Sequence, residues 1–134
     1  MLFELEDTSK VKALFAEWEE TLIFSCLQKI MGKIYVTDLQ QPQSAFAFVG
    51  CFGFYAGAPD REIVMSKPGG FVIMVPQNKE WERLIEECYP SAKKVTRYAI
   101  KKDTVFDKNK LQNEIRKLPD GYKLQKLEAE MYDK

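Results

Sequence analysis

Residues 44–81 read SAFAFVGCFGFYAGAPDREIVMSKPGGFVIMVPQNKEW, and the fold turns on this stretch. It holds two very apolar strand signals, then an abrupt polar start to a helix. Between Ser44 and Gly57, residues Phe46, Phe48, Phe52 and Phe54 share one parity, while Ala45, Ala47, Val49, Cys51 and Tyr55 share the other. Apolar residues on both parities predict strand covered on both faces. Gly50 interrupts the phenylalanine row, which predicts either a bulge or, with Cys51, a tight hairpin turn. Gly57-Ala58-Pro59-Asp60 and Lys67-Pro68-Gly69-Gly70 read as turns, and Phe71 to Val75 as a short buried strand that Pro76 ends. Asn78 is an N-cap for a helix with the stripe Trp81, Leu84, Ile85 and Cys88, stopped by Pro90. The crossover from Val75 to Trp81 is where an α/β enzyme would place a glycine-rich phosphate loop. It contains no glycine.

Working outward, Leu2-Phe3-Glu4-Leu5 predicts a short first strand. Asp7, Thr8 and Ser9 are good caps ahead of Val11, Leu14, Phe15, Trp18 and Leu22, a helical stripe. Trp18 reads as core packing. Leu22, Ile23, Cys26, Leu27 and Ile30 predict a second helix or a bent continuation, with Gly32 at its C′ position. Lys33 to Thr37 alternates as a strand. Beyond Pro90, Lys94 to Ile100 is rich in β-formers. A helix is expected from Asp107 to Leu118 with Leu111, Ile115 and Leu118 inward, then a turn at Pro119-Asp120-Gly121. Tyr122 and Leu124 begin a strand, and Leu127 to Met131 turns helical. The order β, α, α, β, β, β, α, β, α, β predicts a single α/β domain over residues 1–134: one mixed sheet flanked by helices. Phe71 to Val75 and Lys94 to Ile100 are expected as parallel neighbours, with the Trp81 helix as crossover.

Composition narrows the function. The chain has 134 residues, and its 20 basic residues balance 20 acidic ones, so it lacks the basic excess of a nucleic-acid binder. No apolar run approaches the roughly 20 residues that span a bilayer. The acidic start Met1 to Asp7 lacks the plan of a signal peptide, which predicts a cytoplasmic protein. Histidine is absent, which removes imidazole bases, His-based triads and most transition-metal sites. Cys26, Cys51 and Cys88 are scattered among apolar residues and read as buried, inert thiols. Lys93, Lys94, Arg97, Lys101 and Lys102 form a basic run that suits a solvated edge strand. Asp60-Arg61-Glu62 reads as a loop. Glu17, Glu19, Glu20, Glu86 and Glu87 read as exposed helix faces.

The element order resembles the GNAT N-acetyltransferase fold, and local sequences carry the resemblance. They are Gly32 to Asp38, Pro42 to Phe46, Val49 to Gly57, and Lys110-Leu111 followed by Leu118 to Leu124. These are similar to the N-terminal half of zwittermicin-resistance type acetyltransferases, in which a degenerate half precedes a catalytic one. The resemblance implies, for the complete family, acetyl transfer from acetyl-CoA to a small-molecule amine. It also implies a phosphate loop of the form (Gln/Arg)-x-x-Gly-x-(Gly/Ala) after the fourth strand. The matching crossover is placed at Pro76 to Trp81. There proline lacks an amide donor, and Glu80 and Glu82 set carboxylates on the first helical turn.

No catalytic, cofactor-binding or metal-ligating residue is therefore assigned, and no cofactor is expected for this chain alone. The expected role is a structural, substrate-side half that pairs with a catalytic GNAT half or a second copy near Tyr122 to Leu127. Neither nucleic acid nor membrane is expected as partner. The alternative is a non-enzymatic module binding a protein or apolar ligand through the Phe46-to-Phe54 sheet.

Overall fold

Gly50 and Cys51 form a two-residue hairpin turn, which decides between the two readings of the phenylalanine row. In the computed structural model, which describes residues 1–98 and 103–131, β3 (Ser44–Val49) and β4 (Phe52–Gly57) pair antiparallel with Val49 opposite Phe52. Gly50 sits at φ 61° while Cys51 stays outside the left-handed region, the pattern of a type II′ turn. The turn reverses parity. Phe46 and Phe48 therefore lie on one sheet face with Tyr55, while Phe52 and Phe54 lie on the other with Ala45, Ala47 and Val49. The expected single row of four phenylalanines is split between two cores.

The sheet runs in the order β1-β2-β3-β4-β5, with β1 at Phe3–Glu4, β2 at Lys33–Val36 and β5 at Ile73–Pro76. The first four strands form an antiparallel meander, and β5 joins β4 in parallel. The expected mixed sheet is present. One face buries Ala45, Ala47, Val49, Phe54 and Ala56 against Val11 and Phe15 of a 3₁₀ helix, Thr8–Phe15, and Ile23 and Cys26 of α1, Thr21–Leu27. Asp7 caps the 3₁₀ helix through Ser9, and Leu14, Trp18 and Leu22 pack against the same cluster. The expected helical stripe is broken, however: the first helix ends at Phe15, Trp18 lies outside both helices and Leu22 belongs to α1. The opposite face buries Phe46 and Tyr55 against Ile63 and Val64 of α2 (Arg61–Met65) and Trp81 and Ile85 of α3 (Lys79–Cys88). Asn78 caps α3 by accepting from the Glu80 and Trp81 amides.

Several expectations are corrected. The parallel neighbour of β5 is β4, with α2 as the crossover, rather than Lys94 to Ile100 across the Trp81 helix. Residues 94–98 form no strand, and Ala99, Ile100, Lys101 and Lys102 lie outside the described residues. β-Propensity alone does not make a strand without a pairing partner, and Lys94 is instead bound to Glu82 and Glu86 of α3. Tyr122 and Leu124 likewise form no strand. Asp60-Arg61-Glu62 is not a loop but the capped start of α2. Gly32 does not end α1. The helix closes earlier in a Schellman motif, with Lys29 at φ 57° as C′ and the Ile30 amide donating to the Ser25 carbonyl at 3.0 Å. Cys26 is buried and its thiol pushed up to about 11 by desolvation, whereas Cys51 and Cys88 are half-buried.

The chain divides into two compact units, Met1–Lys94 and Val95–Lys134. The sheet and both clusters belong to the first. The second contains α4 (Lys108–Arg116), capped by Asp107, and a 3₁₀ turn at Ala129–Met131. The helix forms where its sequence predicts, but Leu111 and Ile115 are exposed rather than inward. Among the described residues no helix is long and apolar enough to cross a membrane.

Candidate functional site

In open α/β sheets, ligands bind in the crevice beyond the carboxyl ends of parallel strands. The one parallel pair among the described residues, β4 and β5, places that crevice at Gly57 and Pro76. Gln77 fills it. Its backbone amide donates to the Tyr55 carbonyl at 3.1 Å, so pairing runs to the last residue of the strand. Its side-chain Oε1 accepts from the Gly57 amide at 3.0 Å, and Nε2 donates to the Leu14 carbonyl at 2.6 Å. One side chain thereby ties the end of β4 to the helical layer on the far side of the sheet.

Further polar groups at this end are bonded as well. Trp81 Nε1 donates to the Gly57 carbonyl at 2.8 Å, and the Ala58 amide donates to the Gln43 carbonyl at 2.9 Å. Ser44, a buried polar residue, donates its hydroxyl to the Ala58 carbonyl. The glycine at 57 is required by this packing. Its φ is 83°, and a Cβ there would lie 2.2 Å from the Gln43 carbonyl oxygen.

The helix that follows is closed as well. Asp60 Oδ1 accepts from the amides of Glu62 at 2.8 Å and Ile63 at 3.4 Å, and Oδ2 accepts from the Thr37 hydroxyl at 2.9 Å. A carboxylate thus occupies the end of α2 that would otherwise attract an anion. Beside it, Pro59, Arg61, Glu80, Arg83, Leu84 and Glu87 line a concavity of about 400 Å³. Its two guanidinium groups both face Glu87, Arg61 at 3.4 Å and Arg83 at 4.0 Å. With Glu80 also on the wall, the charges balance and no anion-attracting field results.

A GNAT acetyltransferase family model matches residues 12–134. The chain belongs to the GNAT acetyltransferase family. It is similar to a solved GCN5-related N-acetyltransferase-like protein from Streptococcus suis, with 47% identity and a TM-score of 0.70. That match covers 86% of this chain and 48% of the other, so the chain spans about half the length of its solved relative. No curated protein matches it.

Acetyl-CoA is the cofactor that membership in the GNAT family brings into question, and the residues present do not fit it. In the sheet the fourth strand ends at Gly57, which moves the position of the phosphate loop from Pro76–Trp81 to residues 57–60. Gly57-Ala58-Pro59-Asp60 lacks the second small residue of the loop pattern, and Phe54 stands where the pattern has Gln or Arg. The amides of Gly57, Ala58, Glu62 and Ile63, donors that such a loop and helix start would offer, are already bonded. At the Pro76 crossover the Asn78 side chain takes the Glu80 and Trp81 amides of α3.

Sequence reasoning placed Gln77 on the crossover but did not identify it as the bridging residue. Nor did it single out Ser44 or the Trp81 indole, because these bonds join residues 14 to 63 positions apart. The phenylalanines offered as an apolar-ligand surface are core residues: Phe46 and Phe54 are fully buried, and Phe48 and Phe52 are packed against the two clusters. Tyr55 is also fully buried, and its hydroxyl makes no hydrogen bond. Desolvation pushes that hydroxyl above the ordinary tyrosine range. Tyr55→Phe removes an unsatisfied polar group and keeps the ring packed between Phe46 and Trp81. Urea denaturation should show it equal to or more stable than the parent, by on the order of 1 kcal/mol. A loss of stability would mean that the hydroxyl has a partner.

Proposed function

We propose that this chain is a degenerate GNAT lobe of the zwittermicin-resistance type that does not itself bind acetyl-CoA. It serves as the structural, substrate-side half of an N-acetyltransferase acting on a small-molecule amine. The acetyl-CoA site and the transfer itself belong to a second, catalytic lobe. The observation that carries this reading is the self-satisfied end of β4, where Gln77, Trp81, Gln43 and Ser44 engage the backbone groups of Gly57 and Ala58. The length relation to the solved relative supports it, because that protein carries about as much chain again.

Calorimetric titration of this chain with acetyl-CoA and with CoA tests the proposal. No saturable heat is expected up to millimolar ligand. A dissociation constant in the micromolar range, about −8 kcal/mol or tighter, would sink it.

A further inference from the structure

The second compact unit, Val95–Lys134, carries large apolar side chains with no core among its described residues to hold them. On α4, Leu111 and Ile115 stand four residues apart on one face and are 49% and 50% exposed. After the turn at Gly121, Tyr122, Leu124 and Leu127 are 73%, 69% and 65% exposed. None of the unit's described residues is buried. An apolar pair at i, i+4 is the pattern of an element that buries one face, and large apolar side chains this exposed mark an interaction surface when they gather on one face.

We infer that α4 and residues 122–127 form a docking surface for a second GNAT lobe, the counterpart of the half that the Streptococcus suis protein carries beyond its match to this chain. The inference rests on the two-lobe reading above and adds to it the surface by which the lobes join. The occupant follows from two observations. The 86% coverage exceeds the 94 of 134 residues in the first unit, so the match extends into the second, in a relative with about twice the chain. Charge then separates a second lobe from a second copy. Residues 107–127 carry six Lys or Arg against three Asp or Glu, although the whole chain is neutral. A two-fold dimer would set this basic rim against itself. A partner lobe with an apolar patch rimmed by carboxylates would not suffer that repulsion.

Amide hydrogen exchange tests the inference in two proteins: this chain alone, and a chimera in which it replaces the matching half of the Streptococcus suis protein. Amides 108–127 should exchange rapidly in the chain alone and at least tenfold more slowly in the chimera. Leu111→Asp with Ile115→Asp should restore rapid exchange in the chimera and leave β3 and β4 protected. Slow exchange of these amides in the chain alone, or their protection in a dimer of the chain seen by light scattering, would overturn the inference. So would rapid exchange of them in a chimera whose β3 and β4 are protected. If the chimera does not fold, Asp substitutions at the aligned positions of the intact Streptococcus suis protein give the same comparison. Acetyl-CoA binding by this chain would refute the proposed function without changing any of these exchange rates.

Discussion

Trp81→Ala is expected to lower the stability of this chain by about 3–5 kcal/mol, the range for deleting a large aromatic from a packed core. The indole has no exposed surface, lies 5.5 Å from the Tyr55 ring, and donates to the Gly57 carbonyl at 2.8 Å. It therefore joins α3 to the sheet and to the end of β4 at once. A domain of this size has only about 5–15 kcal/mol in total, so the variant should be largely unfolded at modest urea. Trp81→Phe separates the two contributions. It keeps most of the apolar contact but leaves the Gly57 carbonyl unpaired, for a loss of about 1–3 kcal/mol. Urea denaturation followed by circular dichroism measures both. A Trp81→Ala cost under about 1 kcal/mol, below any core-deletion value, would mean that α3 does not pack as described.

Gly57→Ala should be the second large effect, and Gly50→Ala is its control. Both glycines have positive φ, 83° and 61°. Left-handed backbone alone costs an L-residue roughly 1–2 kcal/mol, and both variants bear that. A Cβ at 50 meets nothing within 4 Å, whereas one at 57 lies 2.2 Å from the Gln43 carbonyl oxygen. That neighbour is backbone, held by the Ala58 amide just beyond the end of the β3–β4 ladder, and cannot swing aside. Gly57→Ala must therefore cost clearly more than Gly50→Ala, with disruption of the Ala58-to-Gln43 bond as its structural cause. Equal urea midpoints for the two variants would show that the end of β4 is looser than its hydrogen bonds imply.

The elements held by local chemistry were legible in the sequence. Asp7 and Asn78 cap the helices they were expected to cap, and Trp81 and Ile85 lie on the buried face that their spacing requires. The short helix α2 escaped because five residues make barely more than one turn, too few to show a 3.6-residue period. Its one signal was Asp60 ahead of Ile63 and Val64. The hairpin turn was undecided because a glycine in an apolar run fits a bulge as well as a turn. That single ambiguity misnumbered the later strands and put the phosphate loop one crossover too late. The closure at Gln77 was invisible for a different reason. A glutamine after a strand looks the same in sequence whether it faces solvent or bridges Gly57 and Leu14.

The account stands on the closure of the β4–β5 end against acetyl-CoA, and amide chemical shifts test it residue by residue. The amides of Gly57 and Ala58, and those of Glu62 and Glu80 at the two helix starts, are the donors a pyrophosphate would need. Titrating the ¹⁵N-labelled chain with acetyl-CoA to millimolar concentration should leave all four resonances in place. Saturable shifts at Gly57 and Glu62 together would show that the crevice opens to the cofactor and would contradict the account.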